Sequence, residues 1–303
     1  MTDHKMAQTS GKGFKKSTLF GVAVLLLASF LWGTTFVSGK VLVKELSVSN
    51  ILFYRVIISC LATLIIFPKI LRTELLNAFK SKEIAMFSIV GALATIIQTE
   101  ALRFSSASNV AFLSAMFVVF VPIIDFAVYG KRLKYIFYFA VFLSIAGIYL
   151  ISYGFSVPTG FSLGNLFALL SAIGYAYYFL LLEKIPNSFS SPTIIFHFFF
   201  TMGAMCFVLC FFTGGFGNVQ TLSSPVVFLN IISLAVIGGI IPYMLMVIGQ
   251  KIIAPHFATL VYNFEPVFAT ILACIVLDES FHFSAILGCV AIFASLTIGA
   301  KNR

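Results

Sequence analysis

A chain of 303 residues with 60% hydrophobic and only 10% charged residues lies far from the soluble mixture, in which about a quarter of residues are charged. Ten successive apolar stretches of about twenty residues leave no length for a folded water-soluble domain. The formal charge of +9 does not point to nucleic acid, because its carriers are spread over the connections between stretches and form no single basic patch.

In chain order, residues 1–17 are polar and carry Lys5, Lys12, Lys15 and Lys16. They read as a disordered cytoplasmic tail held near anionic lipid. The apolar stretches then begin near Thr18, Val48, Ile84, Ala107, Tyr135, Leu163, Pro192, Val227, His256 and Phe283. Each is long enough to cross about 30 Å of hydrocarbon as a helix. None alternates polar and apolar residues as barrel strands do. The first stretch lacks a small-residue cleavage site and is read as a retained span, not a signal peptide. With the N-terminus inside, fifteen basic residues fall on the cytoplasmic side, against Lys40, Lys44 and Arg103 outside. The positive-inside rule therefore predicts a multi-pass protein of the cytoplasmic (inner) membrane with both termini in the cytoplasm. Cys60, Cys206, Cys210, Cys274 and Cys289 all fall inside apolar stretches and form no disulfide framework. Cys206 and Cys210 share a helix face, but without a nearby His or Asp they read as packing groups, and no metal is expected.

The chain repeats itself. Gly21–Trp32 lies over Gly164–Tyr175, and at a second constant offset Gly91 lies over Gly239 and Lys131 over Glu279. Two repeats result, 18–153 and 161–300, each with five spans. An odd number of spans makes the second repeat enter the membrane from the opposite side. The expected fold class is thus an all-α membrane protein of ten transmembrane helices in two inverted five-helix repeats. Many secondary transporters are built in this way, with the solute bound near the midplane.

Several segments carry a family resemblance. They are Leu31-Trp32-Gly33-Thr34-Thr35-Phe36, Arg55, Ser105–Phe112, Phe264-Glu265-Pro266-Val267-Phe268, Leu277-Asp278-Glu279-Ser280-Phe281 and Gly288. In order and spacing the chain resembles the drug/metabolite transporter superfamily, specifically its ten-helix EamA-type members. The resemblance implies a central cavity enclosed by the first, third, fourth, sixth, eighth and ninth spans, with the fifth and tenth outside. Two departures stand out: Lys131 occupies a position that is usually acidic in the family, and Val118 stands where the second repeat has Pro266, with Pro122 one turn later. The prolines predict that the two halves bend at different depths.

An ionisable group within a span is costly and normally faces the bundle interior. Glu265, followed by Pro266 and preceded by Tyr262 and Asn263, is the leading candidate for contact with solute or a proton; a structural acid is the alternative. Arg55 suits a solute carboxylate, or else it snorkels or holds an acid such as Glu100 across helices. Asp125 reads as a gate or local ion pair, and His197 as a proton relay or a packed ring. The paired first and sixth spans offer Trp32 and Phe36 opposite Tyr175 and Tyr178. The resemblance adds Gln98 and Tyr243.

No phosphate-binding loop and no nucleophile–base cluster are visible, so neither an enzyme nor a cofactor is expected. The sequence supports a carrier for a small organic metabolite, an amino acid or related amphipathic solute, working by alternating access. It leaves open the direction of transport and whether protons are coupled. The alternatives are a facilitative channel and a lipid-linked-sugar flippase. The expected partners are the solute and the lipid bilayer. Gly288, Ala291, Ala294 and Ser295 on the tenth span would serve a homodimer or packing within the monomer.

Overall fold

The computed structural model describes residues 6–156, 162–216, 221, 223–277 and 282–300. Lys5, Asp278, Glu279, Ser280, Phe281, Lys301, Arg303 and the side chain of Cys274 lie outside the described residues.

Without water to satisfy the backbone, a spanning chain must close its own hydrogen bonds, and the described residues contain helices and no strands. The first span is α1 (Met6–Gly33) with α2 (Thr35–Leu42), and the second is α3 (Val48–Ile66). A short helix, α4 (Pro68–Ala78), precedes the third span, α5 (Lys82–Phe104). The fourth span is divided into α6 (Ala107–Ser114) and α7 (Phe117–Tyr129), and the fifth is α8 (Tyr135–Tyr153). The second repeat begins with α9 (Leu163–Leu182) and α10 (Ser191–Phe212). Its third member runs through α11 (Pro225–Ala235), a π-helical turn over Val236–Ile240, and α12 (Ile241–Gln250). The ninth span is α13 (Pro255–Tyr262) with α14 (Glu265–Leu277), and the tenth is α15 (Phe283–Ala300). Among the described residues, nine helical stretches are long and apolar enough to cross a bilayer; the remaining crossing is the pair α13 and α14.

Local chemistry sets the ends. Ser47, Ser81, Ser106 and Ser162 each cap a helix by accepting the backbone N–H three residues on. Pro68, Pro192, Pro225 and Pro255 sit in first turns, where an amide would have no partner. Gly130 ends α7 with φ +69°, a left-handed geometry that favours glycine. The tail differs from expectation: α1 starts at Met6, so residues 6–17 extend the first span as helix. Propagating a formed helix adds one hydrogen bond per residue, whereas starting one is costly.

The packing has the symmetry the repeats demand. The second span packs on the seventh (α3 on α10) and the fifth on the tenth (α8 on α15). The third against the sixth (α5 on α9) is answered by the eighth against the first (α12 on α1). In the fourth and ninth spans each half meets the opposite half of its counterpart, α6 with α14 and α7 with α13. Such a pattern requires a twofold relation between the quintets. At the fifth–tenth contact a Cβ on Gly288 would stand 2.5 Å from the Gly147 carbonyl oxygen, so only glycine permits the approach. Gly288 and Ser295 are buried in this contact between spans of one monomer, which removes both from the homodimer face considered for the tenth span.

The breaks in the fourth and ninth spans correct another expectation. They fall at Ala115–Met116 and Asn263–Phe264, the same depth at the offset of 148 that lays Lys131 over Glu279. The prolines do not set them. Pro122 is accommodated inside α7, and Pro266 is the second residue of α14. Ala115 and Val267 of the two broken spans pack together with Ile148 of the fifth and Ile292 of the tenth beside both breaks.

Candidate functional site

Where the broken spans meet the first, third, sixth and eighth, a cavity of about 90 Å³ remains, room for several waters. Its lining comes in symmetric pairs. At offsets of 143 residues in the first span and 148 in the third to fifth, Trp32 pairs with Tyr175, Thr35 with Tyr178, Phe36 with Phe179, Thr95 with Tyr243, and Phe117 with Glu265. Each repeat therefore offers the same backbone positions, with a different side chain at every pair but Phe36 and Phe179.

The cavity reaches toward one face. Gly39, Ile51, Leu52, Thr99, Leu102 and Leu234 line it, and all lie in the half of the membrane nearest the connection between the first and second spans. In the other half it is closed by rings: Tyr178 stacks on Phe87 at 4.3 Å, Tyr243 on Phe198 at 4.9 Å, and Tyr262 lies 4.9 Å from Phe179. Trp32 stands at the boundary, edge-on to Tyr243 at 5.4 Å and to Tyr262 at 5.5 Å.

Polar groups enter from six spans. Tyr175 donates its hydroxyl to Gln98 Oε1 at 2.9 Å and lies 3.2 Å from Thr95 Oγ1. Arg55, 8% exposed, donates from Nη2 to the Gly238 carbonyl at 2.8 Å, and its Nε has no partner among the described residues. Gly238 lies in the π-helical turn, where carbonyls leave the regular ladder. Ser59 takes a second one, Ala235 O, at 3.1 Å. Glu265 is the first residue of α14, so its carboxylate sits at the positive end of a half-helix. The donor that Pro266 lacks belongs to that first turn and is not missed. The hydroxyls of Tyr178 and Tyr262 are buried without partners among the described residues. A chamber of about 20 Å³, the size of one water, adjoins Glu265 and touches Ser114, Ala115 and Pro266, joining the two breaks.

Of the residues singled out from sequence, Trp32, Phe36, Arg55, Gln98, Tyr175, Tyr178, Tyr243, Tyr262 and Glu265 line the cavity. Asn263 does not: fully buried, it donates from Nδ2 to Ser144 Oγ on α8 at 2.8 Å, because the turn after Tyr262 rotates it away. Glu100 does not hold Arg55; it pairs with Arg103 at 2.6 Å, one turn along its own helix. Asp125 is buried at the far end of α7, 3.9 Å from Lys131, which also meets Glu183 at 3.1 Å. His197 binds Ser88 Oγ through Nδ1 at 2.8 Å and lies 4.7 Å from the Phe79 ring, behind the cavity wall.

Sequence reasoning missed Thr35, Thr95, Thr99, Phe117 and Phe179. The spacing of Thr95, Gln98 and Thr99 marks one polar face on an apolar helix, and the repeat offsets lead from Phe36 to Phe179 and from Glu265 to Phe117. The second span, outside the set implied by the resemblance, contributes Ile51, Leu52 and Arg55. Among the described residues no three His, Cys, Asp or Glu side chains gather to hold a metal.

The model of the EamA-like transporter family matches the chain twice, over residues 19–153 and 162–299. An uncharacterized transporter from Archaeoglobus fulgidus is 25% identical over 272 residues, covering 90% of this chain and 82% of that protein. A crystal structure of a protein 16% identical in sequence superposes with a TM-score of 0.71 over 95% of this chain and 97% of that one, a likeness of fold.

Proposed function

Because the chain belongs to the EamA-like transporter family, we propose that it is a secondary carrier for a small amphipathic organic solute, of the amino acid class, working by alternating access. The observation that carries this reading is the cavity itself, in which Arg55 and Glu265 enter one aromatic-walled space drawn from both repeats. A guanidinium grips a carboxylate through parallel hydrogen bonds. A carboxylate with surrounding rings holds an ammonium. Trp32, Phe36, Gln98, Tyr175, Tyr178, Tyr243 and Tyr262 would frame the apolar body of the solute. Glu265 is the group proposed to exchange a proton during the cycle.

The fifteen-to-three distribution of basic residues supports cytoplasmic termini in the inner membrane, and the cavity then opens outward. Alternation would pass the opening to the other half by exchanging the packing of the two repeats around the crossing of the broken spans.

Glu265→Gln in proteoliposomes tests the proposal. A charge-assisted hydrogen bond is worth about 1.5–3 kcal/mol, so flux of ammonium-bearing solutes should fall about tenfold or more and lose its pH dependence. Unchanged flux and unchanged pH dependence would overturn the role of Glu265. Unitary currents without saturation or counterflow would replace the carrier by a channel. Thermal stabilisation of the purified protein by lipid-linked sugars, and by no soluble amino compound, would replace it by a flippase.

A further inference from the structure

The short helix α4 is the one described helix of more than ten residues that belongs to no span. Its inner face is fixed to the bundle. Leu71 and Ala78 are buried against α3 and α10, and Glu74 accepts from both the backbone N–H and the hydroxyl of Ser190 at 2.8 Å, at the start of α10. Next to this attachment, Lys251 donates to the Phe189 carbonyl at 2.7 Å. The helix is therefore held in one orientation.

The face turned away from the bundle has an unusual composition. Lys69, Arg72, Leu76 and Lys80 follow one another at spacings of three and four, which places them on one side of the helix. Leu76 is 75% exposed and the cations are exposed with it, whereas Phe79, at the rim of this face, leans its ring on His197 and Phe200 of α10. Ile65 and Ile66, the end of α3, extend the apolar part. In water such a face would leave Leu76, with Ile65 and Ile66 beside it, unburied. At a membrane surface it is consistent, because the apolar groups enter the acyl boundary while the ammonium and guanidinium groups stay at phosphate level. The face adjoins hydrocarbon in any case, since α3 leaves the bilayer only two residues before α4 begins.

We propose that the outer face of α4 is a binding surface for the headgroups of anionic phospholipid, with Lys69, Arg72 and Lys80 contacting phosphate and Leu76 inserted among the chains. Charge complementarity selects this occupant: the described face presents cations and no acid, Glu74 being turned to Ser190. Nothing in the inference depends on which solute the cavity takes. Through Glu74 and Ser190 the lipid-bound helix is continuous with the first turn of the seventh span.

The test uses the full chain in nanodiscs, with an NBD fluorophore on Leu76→Cys and the labelling of the unsubstituted chain subtracted. Phosphatidylglycerol and phosphatidylcholine are supplied in equal amounts, with bromine on the acyl chains of one or the other. Brominated phosphatidylglycerol should quench the more strongly. The preference should drop by up to about fivefold for each charge removed through Lys69→Gln, Arg72→Gln or Lys80→Gln. Lys131→Gln with Arg132→Gln, which alters charge elsewhere, should leave it unchanged. Equal quenching by the two lipids, or a fluorophore that iodide in water reaches freely in both, would overturn the proposal. Should labelling at position 76 disturb the fold, thermal unfolding of the unlabelled chain in neutral detergent decides: phosphatidylglycerol should raise the midpoint more than phosphatidylcholine, and no difference overturns the proposal.

Discussion

The two repeats present the same positions to the cavity and fill them unequally. Thr35 and Thr95 of the first repeat answer Tyr178 and Tyr243 of the second, and Gly39 answers Leu182. Because the repeats are inverted, the small residues of the first lie toward one face and the rings of the second toward the other. The open half and the closed half of the membrane are thus one backbone arrangement with different side-chain volume. The same asymmetry governs charge: Glu265 answers Phe117, and Arg55 answers Phe198, which stands behind Tyr243. Duplication built the frame, and divergence at a few paired positions gave the cavity its polarity and its single mouth.

Exchanging paired residues breaks this contrast most directly. Tyr178→Thr copies Thr35 into the plug and removes a ring stacked on Phe87. Stability should fall by about 3–5 kcal/mol, as for other large-to-small changes in a core, measured by unfolding in detergent. A cysteine at Thr95 should then become reachable by reagent from the formerly closed face. Gly288→Ala attacks the symmetric frame instead. Its new methyl meets a backbone oxygen that cannot move aside, so a loss of about 1–3 kcal/mol is expected in the same assay. Gly249→Ala should cost less, because its close contacts are with the Leu25 side chain and the Gly21 carbonyl lies at an ordinary 3.4 Å.

The reverse exchange, Gly39→Leu, copies Leu182 into the mouth. Its nearest obstacle is the movable end of Leu102, and replacing a helical glycine offsets about 1 kcal/mol of strain. Solute flux should drop while the unfolding midpoint stays within a few degrees. The smallest effect concerns Glu74. Its burial alone would raise the carboxyl pKa, but hydrogen bonds from Ser190 and Thr193 and the nearby Lys251 bring it below its ordinary value. The contribution is therefore present above the ordinary carboxylate range and lost as pH falls through the folded-state value. Acidification should destabilise the native chain slightly more than Glu74→Gln, by about 1 kcal/mol or less, read from the pH dependence of unfolding.

Much of the fold was legible because bilayer thickness sets the length of each apolar run, and the nine starts read from sequence from the second span onward fall within two residues of those observed. The paired aromatics of the first and sixth spans were legible through the repeat. The broken fourth span was not, since nothing at Ala115–Met116 signals a break and the misleading proline lies a turn and a half later. Neither was the partner of Arg55. A backbone carbonyl released by a π-helical turn has no side-chain signature, so reasoning from charges alone turned to Glu100. Asn263 failed for a related reason: the turn between the half-helices reorients it, and a helical spacing argument assumes that no such turn exists.

Lys40 near the mouth gives these features an electrical consequence. Its ammonium bonds to the carbonyl oxygens of Leu102 and Ser105, at 2.6 and 2.7 Å, and so sits on the negative pole of α5. That pole offsets part of the ammonium's charge, and the zwitterion proposed above, approaching from that side, meets little long-range field until it reaches the interior charges. Association with the carrier should therefore vary only weakly with ionic strength, unlike capture by proteins that steer their ligands with a charged rim.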